Sequence, residues 1–84
     1  MKFRVAVQIL PRRGILDPQG KAVSDALHTL GFGGVAEVHV GRHLVIETEA
    51  DSAVGATASV KAMCEKLLAN PVTEDFSIAD AEAM

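Results

Sequence analysis

Few residues in this 84-residue chain could do chemistry. His28, His39 and His43 are its histidines, and Cys64 is its single cysteine. His39 and His43 share one face of a strand-like segment, where four residues at about 3.3 Å each set them ~13 Å apart. That distance is too long for one metal ion. A three-residue hairpin loop would bring them closer, but a third ligand is missing. The plainer reading is histidines on a solvated or interface sheet face. His28 lies on a helix near Asp25 and reads as a surface residue.

Cys64 falls on the apolar face of a helix. No Lys, Arg or His is placed to lower its pKa, so it reads as a core thiol rather than a nucleophile. One cysteine forms neither an internal disulfide nor a cysteine-rich metal site. The run Gly31-Phe32-Gly33-Gly34 follows a helix and precedes a strand, the reverse of a dinucleotide-binding fingerprint. Asp17 reads as a helix cap rather than a general base. Arg12 and Arg13 stand just before a helix N-terminus, where backbone N–H groups favour anions. They could hold a phosphate, meet an acidic partner surface, or remain a solvated loop. No acid–base pair and no Ser/His/Asp arrangement is visible, so the chain is expected to catalyse nothing alone and to hold no cofactor or metal of its own.

Composition narrows the class further. The net charge is −3, which disfavours nucleic-acid binding, where Lys and Arg must neutralise phosphates. Base-stacking aromatics are scarce as well, with three Phe and no Tyr or Trp. The core must therefore come from Val, Ile, Leu, Ala and Met. No apolar run approaches the roughly 20 residues of a membrane span. Strand-like sequence begins directly after Met1, so no signal peptide is expected and cytoplasm is the expected location. Hydrophobic residues make up 49% of a very short chain, which points to a surface covered by another chain.

The elements that position these residues follow from periodicity. Over residues 2–10, Phe3, Val5, Val7 and Ile9 alternate with polar neighbours, a strand with one buried face. Asp17-Pro18 starts a helix whose apolar face is Ala22, Val23, Ala26, Leu27 and Leu30, and Gly31 ends it as a left-handed cap. In residues 35–49, Ala36, Val38, Val40, Leu44, Ile46 and Thr48 share even parity, while Glu37, His39, His43 and Glu47 share odd parity. A two-residue hairpin would break that parity. One long strand bent near Gly41 keeps it; a three-residue loop Gly41-Arg42-His43, giving βαββαβ order, is the alternative. Asp51 or Ser52 caps a second helix with Ala56, Val60, Met63, Cys64 and Leu67 inward, and Asn70-Pro71 stops it. Residues 72–78 make a last strand with Glu74, Phe76 and Ile78 on one side, and residues 79–84 are expected to fray. The result is one α+β domain over residues 1–84, ferredoxin-like in β-α-β-α-β order, with two helices on one face of an antiparallel sheet. The long middle strand overhangs its own helices, which predicts a homodimer.

Two segments resemble a known family. Gly14-Ile15-Leu16-Asp17-Pro18-Gln19-Gly20-Lys21-Ala22-Val23 resembles the G-(V/I)-L-D-P-Q-G-x-A-(V/I) signature of the PurS family. Residues 63–76, with Lys66-Leu67-Leu68-Ala69-Asn70-Pro71-Val72 at their centre, resemble that family's second signature, and Val38-His39-Val40-Gly41-Arg42 matches in type and order. The basic entry at Arg12-Arg13 departs from the usual one, as do Arg42, where Lys is commoner, and Phe32, where Tyr often sits. PurS is the small subunit of bacterial and archaeal phosphoribosylformylglycinamidine synthase, in purine biosynthesis. The resemblance implies a dimer that bridges the large subunit PurL, which binds ATP and Mg, to the glutaminase PurQ, and that supports ammonia transfer. Carried onto this chain, the candidate partner interface is Arg12, Arg13, Leu16, Asp17, Pro18, Gln19, Gly20 and Arg42. Two rival readings are an ACT-like domain that binds an amino acid and a small enzyme such as an acylphosphatase. The first needs a Gly-rich contact for which Gly14 is the sole candidate; the second needs an Asn that is not near Arg12-Arg13.

Overall fold

The computed structural model describes residues 1–84. Its elements run β1 (Lys2–Pro11), α1 (Pro18–Thr29), β2 (Arg42–Glu49), α2 (Ala53–Met63), β3 (Glu74–Ile78) and β4 (Glu82–Ala83). All strand pairs are antiparallel, and β1 is the hub, with β2 on one edge and β3 then β4 on the other. This is the expected α+β, ferredoxin-like order with a short fourth strand added.

The alternation in β1 does what its period of two requires. Phe3, Val5, Val7 and Ile9 are all buried on one face. Each such side chain contributes on the order of 1.5–3 kcal/mol when removed from water. α2 covers them with Ala56, Val60 and Cys64, spaced four residues apart, and Ala69 closes the cluster. On the neighbouring strand, Leu44, Ile46 and Thr48 stand opposite Val7, Val5 and Phe3 and are half-buried.

The middle segment differs from the expectation. Pairing begins only at Arg42, and residues 35–41 belong to no strand. Neither the single long strand nor the hairpin at Gly41 forms. Arg42 lies opposite Ile9, and β1 ends two residues later at Pro11; in that register only Gly41 and Val40 would still face β1, and residues 35–39 lie beyond its end. The parity read from the sequence holds from residue 37 onward, with Val38 and Val40 half-buried and Glu37 and His39 exposed, but fails at Ala36, which is exposed beside half-buried Val35.

α1 packs beside that unpaired stretch, and the chain is correspondingly elongated, 50 × 26 × 14 Å. α2 is the helix that packs on β1, β2 and β3. The C-terminus of α1 is closed as expected. Gly31 adopts φ 98°, its N–H donates to His28 O (3.0 Å), and Phe32 N–H donates to Leu27 O (3.0 Å). These are the paired bonds of a Schellman cap. The burial of α1 is not as expected. Its buried residues are Gly20 and Ser24, whereas Leu30 is 73% exposed, Phe32 57%, and Ala22, Val23 and Ala26 also face outward. A single copy has nothing to cover that stripe.

Three further expectations are corrected. α2 widens into a π turn over Cys64–Leu68, where Ala69 N–H donates to Cys64 O (3.1 Å), five residues back. The wider turn rotates Leu67 into solvent, at 82% exposure, and brings Leu68 against the core. The last strand starts at Glu74, and the tail does not fray. β3 pairs only with Val7–Pro11 of β1, which leaves the other half of that edge open. Glu82–Ala83 fills part of it, and Met84 N–H donates to Lys2 O (2.8 Å). Unpaired backbone groups are costly, and the tail satisfies them.

Candidate partner interface

The turn between β1 and α1 is built on backbone geometry. Gly14 sits at φ 84°, a conformation that L side chains resist, and Ile15 N–H closes the turn onto Arg12 O (3.1 Å). Asp17 then fixes the start of α1. Its Oδ1 accepts from Gly20 N–H (3.0 Å), and its Oδ2 accepts from Val40 N–H (3.0 Å). Pro18 occupies the first helical position, where its missing N–H is harmless. Gly20 is buried because the helix lies against the middle segment there; a β-carbon would overlap Val38 O and the Asp17 carboxylate. The N–H groups of Gly20 and Val40 hold the Asp17 carboxyl below the usual carboxylate range, with His39 adding attraction. Gln19 and Leu16 remain exposed.

Arg12 and Arg13 separate in the folded chain. Arg12 Nε lies 3.3 Å from Asp75 Oδ1 and 3.5 Å from Glu74 O, and Arg12 N–H donates to Thr73 O (2.8 Å). Arg13 forms no ion pair, whereas Arg4, Arg12 and Arg42 each do. Arg42, a candidate contact residue, is used within the chain: its guanidinium donates to Glu74 Oε1 (2.7 Å) and Leu68 O (3.0 Å).

Glu74 and Asn70 carry more of this end of the molecule than sequence reasoning assigned them. Glu74 Oε1 also accepts from Asn70 N–H (2.8 Å), Asn70 Oδ1 accepts from Val72 N–H (2.9 Å), and Asn70 O receives Glu74 N–H (2.8 Å). Asn70 N–H, followed by Arg42, holds the Glu74 carboxyl below its ordinary range. The signal was present: Asn before Pro favours a side-chain-to-backbone turn. These bonds tie the π turn, the start of β2 and the start of β3 together, and Arg12 links them to the β1–α1 turn. The two signature segments therefore meet at one end of the sheet.

The remaining candidates fall into place quietly. His28 Nε2 donates to Val35 O (2.7 Å), and His39 Nε2 lies 3.3 Å from Glu37 Oε2. His43 is the second residue of β2, paired opposite Gln8. No group of three or more His, Cys, Asp or Glu side chains is placed to hold a metal ion. Cys64 is fully buried, and burial followed by the nearby Glu65 pushes its thiol pKa up, away from the reactive thiolate. No helix is long and apolar enough to cross a membrane.

The family model described as PurS, phosphoribosylformylglycinamidine (FGAM) synthase, matches residues 4–82. The chain belongs to the PurS family. The Bacillus subtilis PurS subunit of the synthase is 40% identical over 74 residues, 88% of this chain and 87% of that protein. The Archaeoglobus fulgidus PurS subunit is 43% identical over 72 residues, 86% of this chain and 90% of its own length. Among solved structures, Thermus thermophilus PurS superposes with a TM-score of 0.86 at 38% identity, covering 100% of this chain and 99% of that one. A chain of the Thermotoga maritima PurLQS structure gives a TM-score of 0.86 at 29% identity, covering 95% of this chain and 98% of its own. PurS is thus a subunit of a synthase of the purine biosynthetic pathway, and this chain spans the full PurS fold.

Proposed function

We propose that this chain is the non-catalytic bridging subunit of phosphoribosylformylglycinamidine synthase, joining PurL to PurQ. The assembly converts formylglycinamide ribonucleotide to formylglycinamidine ribonucleotide at the expense of ATP and glutamine. The observation that carries this reading is the likeness, over nearly the whole of both chains, to a chain of PurLQS. In this reading PurQ releases ammonia, PurL binds ATP, Mg and the ribonucleotide, and the small subunit supports ammonia transfer between them without a cofactor of its own. Its place is the cytoplasm, with neither nucleic acid nor membrane as partner.

The exposed apolar stripe of α1 supports a homodimer as the working unit. Val23, Leu30 and Phe32 lie in the open beside the unpaired middle segment, and a second copy would remove them from water. Reconstitution tests the whole reading. Glutamine-dependent synthase activity of PurL plus PurQ is expected to need this chain, while activity supplied with ammonium needs it far less. Full glutamine-dependent turnover without the chain would refute the bridging role.

A further inference from the structure

Between α1 and residues 36–39 runs an open groove of about 390 Å³. Three features set it apart from a plain seam. The first is Ser24, which lines the groove and is only 9% exposed. Its hydroxyl has no hydrogen-bond partner within the chain, and Oγ is not sealed off from the groove. A hydroxyl taken nearly out of water without a partner weakens the fold, and alanine would suit that helical position better. The fold itself therefore has no use for this polar group. The second is His28, one helical turn further on. Its Nε2 faces Val35 O at 2.7 Å, and a carbonyl only accepts, so Nε2 carries the proton. In the neutral ring Nδ1 is then left as an acceptor. The third is charge. Asp17, Asp25 and Glu37 line the groove against a single Lys21, which is already paired with Asp25 (3.4 Å). Asp17 uses both of its oxygens on Gly20 and Val40 N–H, whereas Glu37 meets only His39, through Oε2 (3.3 Å).

We propose that this groove binds a small ammonium cation, with Ser24 Oγ, His28 Nδ1 and the Glu37 carboxylate accepting its N–H groups. Spare acceptors together with excess negative charge call for a cation that brings its own donors. A bare metal ion fits worse, because no three His, Cys, Asp or Glu side chains stand close enough to surround one. The groove lies on the side of α1 away from Ala22 and Ala26, so a second copy covering the outer stripe leaves it open. The ammonium ion itself and the –NH3+ group of a small amine share this chemistry. Binding here is independent of the bridging role.

The test is an NMR titration of the full-length chain with ammonium, n-butylammonium and tetramethylammonium chlorides at constant ionic strength. Tetramethylammonium carries the charge without any N–H. Saturable shifts are expected at the Ser24, His28 and Glu37 amides with a cation that bears N–H groups, and none with tetramethylammonium. Tighter saturation by ammonium identifies the free ion as the ligand, and tighter saturation by butylammonium identifies an amine. Ser24→Ala is expected to weaken binding about fivefold while its melting temperature stays at or above wild type. Glu37→Gln is expected to weaken binding about tenfold. Shifts that never saturate, or that tetramethylammonium reproduces, refute the site. So does binding within about twofold of wild type in both variants, since a bond to a charged group is worth more than that. No synthase activity enters the measurement, so its failure leaves the bridging role standing.

Discussion

Asp17 and Val40, 23 residues apart, are joined by a 3.0 Å hydrogen bond from backbone N–H to carboxylate. The other oxygen of the same carboxylate caps α1 through Gly20 N–H. One side chain therefore both starts the helix and anchors it to the stretch that no strand pairs. An amide has a single acceptor oxygen, so Asp17→Asn can satisfy only one of the two donors. Its NH2 would face the other. Amide hydrogen exchange at Val40 or Gly20 is expected to quicken at least several-fold, while Val5 and Val7 in the sheet stay protected. Unchanged exchange at both Val40 and Gly20 would show that the clasp does not hold α1.

Gly20→Ala should reverse the usual sign of its class. In an exposed helix this change stabilises by about 0.5–1 kcal/mol. Here the new methyl meets Val38 O and the Asp17 carboxylate, both fixed. Overpacking of that kind costs about 1–3 kcal/mol. Thermal denaturation is the measurement, and a melting temperature at or above wild type would contradict the close approach of α1 to residue 38.

The π turn makes a prediction that an ordinary helix would invert. Leu67 is in solvent and Leu68 packs on the core. Leu67→Ala should change stability by no more than about 0.5 kcal/mol. Leu68→Ala, half-buried, should lose roughly 1–2 kcal/mol, below the range for fully buried leucines. If urea titration ranks the two the other way, the helix continues at 3.6 residues per turn through Cys64–Leu68.

Acid should loosen both tethers. The carboxyls of Asp17 and Glu74 are depressed below ordinary values of 3.8 and 4.5 in the folded chain. A lowered folded pKa means that the unfolded state binds protons more readily. The stability these groups supply is therefore present above about pH 4.5. It is lost as pH falls through the ordinary values and then the folded ones. The melting temperature should drop between pH 5 and pH 3, and Glu74→Gln should make that slope shallower. A flat profile over this range, or an equal slope in the variant, would remove the carboxylates as its source.

Local pattern reads well wherever one residue sees only its neighbours. The alternation of Phe3, Val5, Val7 and Ile9, the Asp17-Pro18 start, the Gly31 cap and the parity of residues 37–48 are all present in the structure, because each depends on backbone geometry within a few positions. Of the candidate interface, the sequence placed Arg12 and Arg13 in the turn between β1 and α1 but could not separate one from the other. Which of two adjacent cations finds a carboxylate depends on Asp75, more than 60 residues away.

The sequence by itself determined the order of elements, the face each strand buries and the family. Those properties are written in period, caps and two contiguous signatures. Tertiary structure alone decided four things: that β2 begins at Arg42, that Leu68 rather than Leu67 turns inward, that Arg42 serves Glu74, and that the tail completes the sheet. Each is a question of whether a distant backbone or charged group is within reach, and β1 answers most of them. Where it ends, residues 35–39 lose a partner strand; where its edge lies open beside β3, the C-terminal residues gain one.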